Sequence, residues 1–96
     1  MPLFVKVNFQ DVLWIEALDN YVIVKTTAKE QYILHSSMKD IESKLPTLNF
    51  IRVHRSYIIQ LDKIQSLEEN ACLIDNTRIP IGKSYKEALM TRINLL

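Results

Sequence analysis

Along most of its 96 residues this chain alternates apolar and polar side chains with a period of two, and a single glycine, Gly82, occurs in it. A period of two sends successive side chains to opposite faces of an extended strand, so the fold must be built around half-buried sheets. The alternation predicts strands at Phe4–Phe9, Val12–Glu16, Tyr21–Thr27, Gln31–His35, Phe50–His54, Tyr57–Leu61, Ile64–Leu67, Ala71–Ile74 and Thr77–Ile81. The third of these is dense in β-branched residues, which suit a pleated surface. Asp19-Asn20 and Thr27–Glu30 are polar enough to turn the chain between them. The pattern breaks twice. Ser37-Met38-Lys39-Asp40 matches a capping box, Met38, Ile41 and Leu45 follow at helical spacing, and Pro46 ends the segment. Ser84-Tyr85-Lys86-Glu87 is a second match, opening a terminal helix with Leu89 and Ile93 on one face. No linker or repeat divides the chain, so residues 1–96 are expected to form a single, mainly β domain with two short helices.

Composition removes several function classes. At 48% hydrophobic and 24% charged residues the chain has ordinary globular composition. A chain of this length buries roughly 60–65% of its unfolded surface. Glycine-rich phosphate cradles and dinucleotide fingerprints need two or three glycines at fixed spacing, so one glycine makes neither. Cys72 is the sole cysteine, which excludes an internal disulfide. His35, His54 and Cys72 are too few soft ligands for a structural zinc site, so no metal and no cofactor is expected. No apolar run approaches the ~20 residues of a membrane span, and the Met1–Phe4 start lacks the features of a signal peptide. The expectation is a soluble cytoplasmic domain without membrane contact.

Nothing survives as catalytic machinery. Ile81-Gly82-Lys83-Ser84 looks like the end of a P-loop, but the motif needs glycine five residues before Gly82, where Thr77 stands. A turn into a helix is the better reading. His54 and Ser56 lack a nearby carboxylate to orient an imidazole base. Cys72 lies among apolar neighbours and reads as a buried, inert thiol. Asp11, Glu16 and Asp19 lack metal-loop spacing and read as a solvated edge. An enzyme is not expected.

Charge is more informative in its distribution than in its sum. The formal net charge is +1, yet residues 51–61 and 76–86 contain five basic residues and no acid, while the remainder carries −4. Such polarity suggests a cationic face able to attract phosphates, against the alternative of a solvated surface with scattered counter-ions. Arg52-Val53-His54-Arg55-Ser56-Tyr57 adds local chemistry to the charge. Arg55 falls between two strands and is expected to project from a turn, where a guanidinium pairs bidentately with guanine or phosphate. Strict alternation puts Arg52 and His54 on one strand face, opposite Ile51 and Val53. The competing reading for both is that they hold the turn through backbone groups, and for His54 this is the preferred one.

These residues resemble a known family. Ile15-Glu16-Ala17 with Asn20-Tyr21-Val22, then Phe50–Ile58, then Ile79-Pro80-Ile81 with Tyr85, are similar in order and spacing to the LytTR domain, the DNA-binding output module of many bacterial response regulators. The likeness spans roughly residues 4–95. It implies an elongated, mostly antiparallel fold of about ten short strands, in which loops, not a recognition helix, enter successive major grooves of double-stranded DNA. Carried over by position, the base contacts would come from Asn20-Tyr21, from Arg55 and from Lys83. Arg52, His54, Ser56, Tyr57, Ser84 and Lys86 would support those loops or meet phosphates. Gln60 stands where asparagine is common in the family, which would alter a turn contact but not the fold. Gly82-Lys83 stands where serine-arginine is frequent; lysine is a mobile point charge, which favours phosphate over base contact at that loop. The resemblance also implies two copies on repeated half-sites and an upstream receiver domain absent from this chain. The competing function is a protein-interaction domain whose cationic face meets an acidic partner, with strand addition at a sheet edge as its means.

Overall fold

The computed structural model describes residue 4 and residues 6–93. A 3-10 turn at Phe9–Asp11 leads into β1 (Val12–Leu18), β2 (Tyr21–Thr26) and β3 (Gln31–His35), followed by α1 (Met38–Lys44). Next come β4 (Phe50–His54) and β5 (Tyr57–Gln60), then β6 (Ser66–Leu67), β7 (Ala71–Ile74), β8 (Thr77–Pro80) and α2 (Lys86–Arg92). One antiparallel sheet has the order β3-β2-β1-β5-β4, and a second has the order β6-β7-β8. The fold is therefore mainly antiparallel β with two short helices, and it is elongated, 41 × 26 × 22 Å.

Among the described residues there are eight strands rather than about ten. The strand expected at Phe4–Phe9 does not form in its described part, and Val5 lies outside the described residues. The Asn8 side chain accepts the Gln10 N–H at 3.1 Å and caps a 3-10 turn, while Phe9 remains 45% exposed, so the local alternation has no buried face to serve. The strand expected at Ile64–Leu67 shortens to two residues, because Leu61–Lys63 makes another 3-10 turn.

The N-cap half of the first capping box forms as expected: the Ser37 side chain accepts the Asp40 N–H at 3.1 Å. Leu45 is extended, as the residue before a proline prefers, and α1 ends at Lys44. The second box does not form. Ser84 lies inside a 3-10 turn over Lys83–Tyr85, and α2 begins only at Lys86 with no side-chain cap. The Gly82 N–H is committed to the Val53 carbonyl at 2.7 Å and Tyr85 N–H closes on Gly82 at 2.9 Å, which denies Ser84 the extended conformation an N-cap needs.

The five-stranded sheet is covered on both faces. Leu13, Trp14, Val53 and Ile59 pack against Cys72, Ile74 and Ile79 of the smaller sheet and Leu89 of α2. Val12, Ile15, Val22, Val24, Phe50 and Ile58 pack on the other side, with Met38 of α1. Strict alternation cannot assign the neighbours Leu13 and Trp14 to the same layer; a register shift between Val12 and Trp14 does so. Cys72 is fully buried, and burial pushes its thiol up to about 11, in line with an inert structural cysteine. Gln60, also buried, donates to the carbonyls of Phe9 at 2.9 Å and Val12 at 2.6 Å, tying the start of the chain to β5. No described helix is long and apolar enough to cross a membrane.

Candidate nucleic-acid interface

Antiparallel pairing gathers three sequence-distant segments at one end of the larger sheet. Glu16 of β1 lies opposite Tyr57 of β5, and the Ala17 N–H donates to the Ser56 carbonyl at 2.9 Å. The turn after β1, Asp19-Asn20, therefore sits beside the turn before β5, Arg55-Ser56. The Gly82–Val53 hydrogen bond draws the third segment, with Lys83, against the same hairpin. A Cβ added at Gly82 would stand 3.0 Å from the Tyr85 ring and 3.7 Å from the His54 Cα, which shows how closely these strands meet.

The side chains divide into those facing solvent and those used internally. Asn20, Tyr21, Arg55, Lys83 and Ser84 are exposed, and Lys86 is half-buried at the start of α2. Asp19 takes the left-handed φ of 53° that turns the chain into Asn20. Arg52 is largely engaged: its Nε donates to the His54 carbonyl at 3.3 Å, one terminal nitrogen to the Arg55 carbonyl, and the other meets Glu42 of α1 at 3.4 Å. His54 Nδ1 accepts the Ser56 N–H at 3.1 Å, so this imidazole does hold the turn through backbone. Its ring meets Tyr57 edge-on at 5.7 Å. Burial, and then the Glu16 carboxylate, hold the Tyr57 phenol above its ordinary range.

Arg52 and His54 do not share a face. Arg52 is registered opposite Ile58 and His54 opposite Tyr57, with Val53 as the extra residue between them. Because Ile58 and Tyr57 point to opposite sides of the sheet, this bulge sends Arg52 toward α1 and His54 toward the layer of Val53. The charge windows are also thinner than their count implied. Arg78 is committed to Glu68 at 2.9 Å on the smaller sheet, and Arg52 to Glu42. Arg55, Lys83 and Lys86 are the cations left at this end. His35 escaped sequence reasoning: the β2–β3 register brings it opposite Tyr21, with ring centroids 5.1 Å apart. Glu42 was missed as well, ten residues from Arg52 and on another element; no local signal links either pair. Among the described residues no group of three or more acidic, His or Cys side chains could hold a metal ion.

A family model described as the LytTr DNA-binding domain matches residues 3–94. The sensory transduction protein LytT of Bacillus cereus is 31% identical over 91 residues, 88% of this chain and 37% of the relative. The transcriptional regulatory protein YpdB of Escherichia coli is 34% identical over 58 residues, 60% of this chain and 23% of the relative. The chain thus spans well under half the length of these curated relatives. A solved LytTr DNA-binding domain from Bacillus cereus superposes with a TM-score of 0.81 at 26% identity, over 93% of this chain and 86% of that one. The family is one of DNA-binding domains of transcriptional regulators, not of enzymes, and this chain belongs to it: it is a LytTr DNA-binding domain.

Proposed function

We propose that this domain binds double-stranded DNA sequence-specifically through its turns, as the output domain of a cytoplasmic two-component response regulator. The observation that carries the reading is the convergence of the Asn20-Tyr21, Arg55 and Lys83 segments at one end of the sheet. Arg55 is the direct reader: an exposed guanidinium at the tip of a hairpin matches the paired acceptors of guanine in a major groove. Asn20 and Tyr21 enter from the neighbouring turn, and Lys83, with Ser84 and Lys86, meets phosphates in the next groove. On this reading two copies occupy repeated half-sites, and the full-length regulator carries an upstream receiver domain.

The test begins with an operator recovered by in vitro selection, followed by fluorescence anisotropy titrations at several salt concentrations. Arg55→Ala should cost about 1–3 kcal/mol of discrimination between operator and scrambled DNA. Lys83→Ala should weaken binding to both sequences alike and reduce the salt slope by about 1. Wild-type binding that ignores salt, or variants that bind as the wild type does, would sink the assignment. Retention of an acidic protein with no retention of DNA would favour the protein-interaction reading.

A further inference from the structure

The Arg55 hairpin is held differently from the other two-residue hairpin turns among the described residues, of which the one between β1 and β2 carries a left-handed Asp19 at φ 53°. Between β7 and β8, Asp75 and Asn76 take φ values of 50° and 60°, the left-handed pair that matches the twist of a hairpin and closes it by backbone geometry alone. Neither Arg55 nor Ser56 takes a positive φ, so their turn lacks that built-in fit, and the strand leading into it carries the Val53 bulge. Side chains supply what the backbone does not. Arg52 donates to the carbonyls on both sides of the turn's entry, those of His54 and Arg55, and His54 accepts the Ser56 N–H. Glu42 of α1 holds the remaining end of the guanidinium, whose side chain is only 23% exposed.

Resting on the DNA-binding reading above, we propose that Arg52 is a positioning residue for Arg55, not a DNA contact. Glu42 sets its orientation, so α1 is mechanically linked to the recognition turn. A planar fork with its donors in fixed directions bridges two carbonyls and a carboxylate at once; a lysine ammonium keeps the charge but not that geometry. A phosphate contact depends on the charge, and a brace depends on the fork.

The experiment compares wild type, Arg52→Lys, Glu42→Gln and Arg55→Ala in two measurements. In the free protein, amide hydrogen exchange at the 55–57 turn should accelerate in Arg52→Lys and, less, in Glu42→Gln, while the central β1 and β5 amides keep wild-type protection. On the selected operator, Arg52→Lys should weaken specific binding roughly tenfold, as for one lost charge-assisted hydrogen bond, with binding to scrambled DNA and the salt slope unchanged. Glu42→Gln should weaken specific binding to a smaller extent. Three results would overturn the proposal: unchanged turn exchange in Arg52→Lys, full rescue of operator affinity by that lysine, or tighter operator binding in Glu42→Gln because the guanidinium is freed to reach DNA. The exchange measurement needs no DNA, so a wild type that fails to bind refutes the DNA reading while the brace is still decided.

Discussion

Replacing Gln60 with leucine tests whether one buried amide fastens the start of the chain to the sheet. The amide nitrogen donates to the Phe9 carbonyl at 2.9 Å and the Val12 carbonyl at 2.6 Å, across 51 and 48 residues, and Gln60 is 4% exposed. Leucine keeps most of the volume, so no sizeable cavity opens and the cost is polar. The two acceptors are not equivalent. The Phe9 carbonyl retains the Val12 N–H that closes its 3-10 turn, and its residue is part-exposed, so water can replace the lost donor. Val12 is 2% exposed, and its carbonyl loses a short bond in a place water does not reach. Stranding one buried acceptor costs about 1–3 kcal/mol, which sets the expectation near 2 kcal/mol. For a domain of this size each kcal/mol moves Tm by about 4–8 °C, so Gln60→Leu should melt roughly 8–16 °C below wild type. Urea unfolding followed by Trp14 fluorescence should give the same loss as a lower midpoint with an unchanged slope. A loss under about 0.5 kcal/mol, the range of neutral surface substitutions, would refute the reasoning.

Two further outcomes follow from the fold. Ser37→Ala removes the acceptor for the Asp40 N–H at the start of α1, and chemical denaturation should register a loss of about 1 kcal/mol. Cys72 should be unreactive toward a thiol reagent until the protein unfolds. Its thiol is raised by burial from 9.0 to about 11, so below pH 9 both states hold the proton and the contribution to stability is complete. As pH rises from 9 toward 11 the unfolded chain loses the proton first, and stability should fall by an amount on the order of 2–3 kcal/mol. Cys72→Ala should abolish that part of the alkaline loss; an unchanged slope in urea titrations across this range would contradict the assignment.

The sequence was legible wherever local pattern decides structure. Strands from Tyr21 to Thr26 and Phe50 to His54, the Ser37 cap and the proline stop are all set by neighbours a few residues away. It misled where long-range contacts override pattern. Ser84 has the residues of a capping box, but the Gly82 bond to Val53, 29 positions earlier, takes the segment into a tighter turn. The bulges at Leu13 and Val53 shift every later side chain of their strands by one face, which no period can announce, and the one at Val53 separates Arg52 from His54. Arg55 and Lys83 stood out through charge and block resemblance. The engagement of Arg52 by Glu42, and the approach of His35 to Tyr21, depend on which elements pack together.

The larger sheet joins two pieces of different origin. The β1–β3 meander and the β4–β5 hairpin each form from neighbours in sequence, and the sheet joins them where β1 pairs with β5, at Trp14 with Ile59 through Glu16 with Tyr57. That seam closes a loop of more than forty residues, so its closure carries most of the topological cost of folding and should fall late. The Asn20 and Arg55 turns lie on opposite sides of the same seam. Their spacing does not exist before it closes, so under the proposed function a partly folded chain holding either piece alone would have no recognition surface, and DNA binding both turns would select for the completed join.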